Sequence, residues 1–368
     1  MRVMKSVSIY VQGGEQSAVT YYRFMQYFDN MKCRVTYRYM FSPYLYGRYM
    51  PIADRGFIVK VFLYLYSLVR VFFQLLSDMK LKPDYLIISR TLLKKNIPLF
   101  YKCLLHIILQ RGTILIWDID DDILELKEIR DKDFGFLSRK AWKIVIASPY
   151  IKEMISAEYT GKCIFIPTTD GAMSELLEPK VSTDRELSYQ KEIRLLWVGT
   201  SSSLQFLETI CPFLDSAAEF VNKSGKDMML TVVCNAPLKV QTTFLKVRNL
   251  KWTREVATEQ FLCSHIGLMP LDDDSLVTRR KGGFKLIQYL SVGLPVAVSA
   301  VGINRDILEE SVGFSVDSLS SMEWKNAIIN LGLDLEFWKK CSLKAKEVYE
   351  RDFSLSENYH RWETLLSI

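Results

Sequence analysis

The chain has 368 residues, too many for one ordinary hydrophobic core, so about two domains are expected. Hydrophobic residues make up 49% and charged residues 24%, which excludes a disordered, collagen-like or purely coiled-coil chain. The net charge of +6 hides an asymmetry: residues 1–117 carry 17 Lys+Arg against 5 Asp+Glu, and the remainder carries 31 against 37. Thirteen of the 19 tyrosines also precede residue 118. Such a basic half is either a solvated face or a surface for an anionic partner: a phospholipid face, a phosphorylated acceptor or nucleic acid. No RNA- or DNA-binding motif accompanies the charge, so nucleic acid is the weakest of the three.

His106, His265 and His360 lie far apart, which argues against a histidine metal site. Seven cysteines without a C-x-x-C pair read as reduced thiols of a cytoplasmic protein. The opening MRVMKSVSIYVQGGEQ reads as a first strand rather than a signal peptide.

In chain order, β-rich runs are expected at 6–11, 34–39, 85–89, 114–117, 144–147 and 163–167. Helices are expected between them, at 18–29 and 97–110 for example. The most apolar stretch, GFIVKVFLYLYSLVRVFFQLL (residues 56–76), is interrupted by Lys60 and Arg70. Two central cations make a membrane crossing costly, which leaves a core helix or a membrane-surface helix with snorkelling cations. Polar residues 178–192 are the candidate linker. The alternation then restarts, with strands at 193–200, 229–234, 266–269, 295–299 and 313–316 and helices at 203–222, 284–292 and 322–331. Two doubly wound α/β halves place a ligand site at the carboxyl ends of strands, in the cleft between the halves.

Three places carry chemistry. In RRKGGFKLIQYLSVGLPVAVSAVG (residues 279–302), cations precede Gly282-Gly283 and a helix starts at Phe284. Close backbone approach, helix N–H groups and positive charge together suit a diphosphate, although an ordinary helix–strand connection has similar residues. In ILIWDIDDDI (residues 114–123) a buried strand ends in Asp118, Asp120, Asp121 and Asp122. Crowded carboxylates repel, so some of them should have raised pKa values or bind a cation. They read as a general base or acceptor-positioning group, as a D-x-D metal motif, or as helix caps with surface charge. Finally, Gly13-Gly14 follow the first strand, Arg23 lies in the next helix, and Arg90 ends YLIIS, in a cleft or in a surface ion pair.

Residues 279–302 resemble the donor site of retaining GT-B glycosyltransferases of the family-four type. The likeness covers residues 193–367 well and 1–170 loosely. That family places two acids, with seven residues between them, before an A-x-G-x-P-V-like turn. Counting back from Gly293, Gln288 stands at the second acid and Arg280 at the first. The resemblance implies that Gln288 bonds the donor ribose or base, that Lys281 and Lys285 replace missing diphosphate cations, and that Gly282, Gly283 and Phe284 line the donor. LLWVGTSSS resembles the family's first donor-domain strand and loop, which adds Gly199, Thr200 and Ser201. Trp252 flanks the base or is a core residue. Gly13 and Gly14 let the diphosphate approach, Arg23 and Arg90 are acceptor-side, and Asp118, Asp120 and Arg280 are the catalytic candidates.

The implied fold is α/β GT-B. Two Rossmann-like doubly wound domains, 1–178 and 190–352, face across a cleft, with a helix at about 353–368 packing back on the first. The implied function is hexosyltransferase-like transfer, with retention, from a nucleotide diphosphate sugar to a lipid-linked or glycan acceptor. It needs no metal or other cofactor. The implied setting is capsule or O-antigen assembly in the cytoplasm, peripheral at an anionic inner membrane face. Donor features in a second Rossmann half disfavour the D-x-D reading. A GT-B nucleotide-sugar epimerase and a catalytically inactive sugar-nucleotide or membrane-binding module are the alternatives.

Overall fold

Strands of a parallel sheet are buried on both faces and therefore need near-continuous apolar runs. The sequence supplies such runs for the inner strands, while RVTYRY (34–39) and KVRNLK (246–251), each at a sheet edge, carry charge and bury no residue. The computed structural model describes residues 4–50, 52, 55–273 and 275–367. Among these, β1 (Ser6–Val11), β2 (Arg34–Tyr39), β3 (Tyr85–Ser89), β4 (Ile114–Ile119), β5 (Lys143–Ile146) and β6 (Cys163–Phe165) form one all-parallel sheet in the order β2-β1-β3-β4-β5-β6. β7 (Glu192–Val198), β8 (Asp227–Cys234), β9 (Lys246–Lys251), β10 (Ile266–Met269), β11 (Val296–Ser299) and β12 (Gly313–Val316) form a second, in the order β12-β11-β10-β7-β8-β9. The first sheet reverses direction between β1 and β3, the second between β7 and β10, and such reversals are where doubly wound sheets bind ligands.

The helices used below are α1 (Pro43–Tyr49), α2 (Phe57–Leu81), α3 (Leu99–Gln110), α4 (Pro179–Tyr189), α5 (Leu204–Lys223), α6 (Phe284–Ser291) and α7 (Leu355–Leu366). Ser354 caps α7, its hydroxyl accepting the Glu357 amide at 3.3 Å. α2 buries one face, Leu63, Ser67, Val71, Leu75 and Asp78. It is therefore not a core helix. The Asp78 carboxylate accepts from Ser8, Tyr10 and Arg38 and ties α2 to β1 and β2. The helix stops at Lys82, in the left-handed region at φ 50°, before Pro83.

The chain forms two units. The first comprises Met1–Thr168, Arg280–Gly282 and Asn358–Ile368, and the second comprises Thr169–Arg279 and Gly283–Glu357. The division thus falls about ten residues before the expected one, and the polar stretch 178–192 is no linker. Most of it is α4, which belongs to the second unit. Its Arg185 is buried and donates to the carbonyls of Phe261, Leu262 and Val292, and the Tyr189 hydroxyl donates to the Leu331 carbonyl at 2.7 Å. Polar composition misleads here because the helix is anchored by hydrogen bonds to main-chain carbonyls. In the first unit, Trp362 of α7 packs against Phe24 and Phe28, with ring centroids 6.0 and 5.2 Å apart.

Candidate functional site

In the first unit the carboxyl edge of β3 and β4 carries a ladder of ion pairs. Asp118, fully buried, accepts from Nε and Nη2 of Arg23, itself 2% exposed, and Arg23 also donates to the Ile166 carbonyl at 2.7 Å. Neither side chain reaches a surface. Arg23 therefore does not stand as an acceptor-side residue, and Asp118 is not an accessible base: the pair ties the helical residues 18–28 to β4 and the end of β6. Burial raises the Asp118 carboxyl above its usual range, against the pull of Arg23.

Asp120 receives a bidentate pair from Arg90, at 2.6 Å from Nε and 2.7 Å from Nη2. Burial works to raise it, yet Arg90 holds it below the ordinary carboxylate range. Arg90 also reaches Glu128 at 3.2 Å, and its backbone is left-handed at φ 59°. A non-glycine residue in that region stores strain that its surroundings must hold: its N–H donates to the Asp118 carbonyl and its carbonyl accepts from the Trp117 indole.

Arg280 pairs with buried Asp122 at 2.7 Å and with Glu153 at 3.3 Å. Half-buried Lys281 has its ammonium pKa lowered by burial, against the attraction of Asp121. The four crowded carboxylates are thus answered by three arginines and a lysine from distant parts of the sequence. Arg280, at the position of a family acid, serves as one of those counter-charges.

The glycines beside this ladder have packing roles. A Cβ on Gly13 would meet the Tyr46 ring of α1 at 2.4 Å, and one on Gly14 would meet Pro43 at 3.1 Å. Gly282 lies in the first unit, where its Cβ would stand 3.2 Å from the Ala147 carbonyl.

In the second unit two of the parts expected at the donor, the loop 199–201 and Lys285, meet at the end of β7, beside the sheet reversal. Gly199 follows β7. A Cβ there would lie 2.5 Å from the Trp197 ring and 2.9 Å from Nζ of Lys285, so a side chain at this position would displace the ring or the ammonium. Nζ stands 5.2 Å from the Trp197 ring centroid, a cation–π arrangement. Thr200 and Ser202 hydroxyls pair at 2.9 Å, and the Ser201 N–H donates to the Asn235 side chain at 3.0 Å. α5 begins directly after this turn.

Gly283, left-handed at φ 65°, starts α6, and Phe284 is its first residue. Gln288, near-buried on α6, donates to the Asp170 carboxylate at 3.0 Å. Asp170 went unnoticed in the sequence, where it is one more polar residue after β6. It supplies an acid beside the position where Gln288 replaces one. Trp252, 51% exposed beyond β9, is not a core residue. The run 279–285 divides between the units, with Arg280 and Lys281 in the first and Gly283, Phe284 and Lys285 in the second.

No family model matches the sequence, and no curated protein matches it either. Solved structures do match along the full length. HepE of Anabaena in complex with UDP-glucose has a TM-score of 0.64 at 12% identity, over 99% of this chain and 100% of that one. A glycosyltransferase of Rickettsia africae has a TM-score of 0.61 at 11% identity, over 99% and 98%. A Listeria monocytogenes protein assigned as a UDP-N-acetylglucosamine 2-epimerase has a TM-score of 0.56 at 9% identity, over 98% and 95%. The chain therefore has the GT-B fold: two parallel six-stranded sheets flanked by helices.

Proposed function

We propose that the chain is a glycosyltransferase, moving a hexose with retention from a nucleotide diphosphate sugar to a lipid-linked or glycan acceptor. The setting is capsule or O-antigen assembly, in the cytoplasm at the inner membrane face. One observation carries the reading: Lys285, in the first turn of α6, stands against Gly199 and Trp197 at the end of β7, beside the β7/β10 reversal. Negative charge builds on the leaving diphosphate during transfer, and a fixed cation beside helix N–H groups stabilises it in place.

In this reading Gln288, oriented by Asp170, bonds the ribose, and Lys281 is a further candidate cation for the diphosphate. Asp120, held ionised by Arg90, positions the acceptor. Asp118, Asp120 and Asp122 already face arginines, so cations rather than a metal ion balance the diphosphate. The Listeria neighbour supports a second reading, epimerisation of the donor sugar. Conversion of UDP-N-acetylglucosamine with no acceptor added would select it.

Titration calorimetry with UDP-glucose tests the donor site. Lys285→Ala should lose about 1.5–3 kcal/mol of binding, tenfold or more, with unchanged thermal stability. Equal affinity in the variant would sink the assignment.

A further inference from the structure

The outer face of α2 is apolar and solvent-exposed along its length. Phe57 and Ile58 are 80% and 82% exposed, and Phe62, Leu65, Val69 and Phe73 are each more than half exposed. The face continues onto α3, where Phe100 meets Phe72 at 5.8 Å between ring centroids and Leu99 is exposed. Contiguous apolar surface on this scale marks a partner.

α2 is long and apolar enough to cross a membrane. It is, however, fastened to the sheet by Asp78 and by the Arg70 guanidinium on the Tyr39 carbonyl at 2.8 Å, and to α3 by the Tyr101 hydroxyl on the Leu68 carbonyl. A helix held this way lies along a bilayer surface.

At the N-terminal end of α2 is a cavity of about 480 Å³. Phe41, Leu63 and Leu93 give it an apolar wall, and Arg55, Lys60 and Lys95 give it charge, with no acid among its described lining residues. Lys95 is held in the left-handed region at φ 72° by its N–H on the Glu128 carbonyl, a strained backbone of the kind found at binding sites. An apolar wall with a cationic rim matches an amphiphile with an anionic head. It mismatches a second copy of this chain, whose own cations would face these across a two-fold axis.

We propose that the outer face of α2 rests in an anionic bilayer and that this cavity receives the phosphate head of one of its phospholipids. Acyl carbons would then lie against Phe41, Leu63 and Leu93. The proposal rests only on the membrane part of the function above and is independent of the donor site.

The test is cosedimentation of the full chain with phosphatidylglycerol–phosphatidylcholine vesicles (1:1) and with pure phosphatidylcholine, alongside UDP-glucose calorimetry. Binding to the mixed vesicles should be at least about tenfold stronger and should weaken with salt. Phe62→Ser with Phe73→Ser should reduce it tenfold at every salt concentration. Lys60→Glu with Lys95→Glu should reduce it tenfold at low salt alone. Soluble dihexanoyl phosphatidylglycerol should raise the melting temperature of the wild type but not of the charge variant, and inorganic phosphate should raise neither. Nucleotide-sugar affinity should stay constant throughout, which separates failure here from failure of the donor site. Any of four results overturns the proposal: no vesicle binding at low salt, wild-type binding by both double variants, equal stabilisation by inorganic phosphate, or a dimer in light scattering that Phe62→Ser with Phe73→Ser dissolves.

Discussion

Each unit buries an arginine, and the two are accommodated in opposite ways. Arg23 in the first unit meets a carboxylate, Asp118, and its pKa is raised by that partner although burial opposes it. Arg185 in the second meets main-chain carbonyls, and burial lowers it to about 10. Both positions lose hydration. Only the first regains full charge neutralisation, and it then depends on both partners being present. The second places an uncompensated positive field among its neighbours. His265 shows the result: burial, then Arg194 and Arg185, lower its pKa to about 3, and the neutral ring accepts the Arg194 amide at 2.9 Å. Buried charge is thus a matched couple in one unit and a pin through carbonyls in the other.

The sharpest way to break this contrast is Asp118→Ala, which leaves Arg23 buried without its counter-charge. Urea unfolding should show a loss of about 3–5 kcal/mol, the scale of a severed buried pair. A loss below about 1 kcal/mol would mean the couple is not what holds residues 18–28 to β4.

Next in size is a pH effect confined to the second unit. The unfolded histidine binds a proton near 6.5 and the folded one near 3, so between these values the unfolded state holds more protons. Stability should therefore fall as pH drops through 6.5, by about 2 kcal/mol at pH 5. His265→Gln should flatten that slope in denaturant melts at pH 5 and 7, and an unchanged slope would assign it to other groups.

Smallest is Arg185→Met. It strips hydrogen bonds from carbonyls but also removes a poorly solvated charge, so a loss of only about 1–2 kcal/mol is expected. It should also raise the His265 pKa, readable by NMR titration. A loss as large as that of Asp118→Ala would make the two arginines equivalent.

These couples were half visible in the sequence. The carboxylate run after β4 announces crowded charge, but nothing in it names Arg23, Arg90 or Arg280, which arrive from up to 158 residues away. The alternation of strands was legible because inner parallel strands are apolar and the edge strand β2 is rich in Val, Thr and Tyr: β1, β2, β3, β10 and β12 have the expected bounds. β9, KVRNLK, is an exposed edge strand whose charged side chains discourage further pairing and leave no apolar run to read. α4 hid for a related reason, since its anchors are an arginine and a tyrosine hydroxyl. At the donor end, Gly199, Lys285 and Gln288 were singled out by the family resemblance, whereas Asp170 needed the fold to bring it to Gln288.

The division of the chain also has a consequence for biosynthesis. Most of the first unit is synthesised before the second, yet it includes Asn358–Ile368, and Trp362 fills the space against Phe24 and Phe28. At about 5–20 residues per second, the intervening stretch of roughly 190 residues takes on the order of 10–40 s to synthesise. Until that interval ends, Phe24 and Phe28 lack Trp362, and when it ends the second unit has its whole complement of residues. Of the two units, the one begun earlier is completed later, so Phe24 and Phe28 wait for their partner while the second unit can fold.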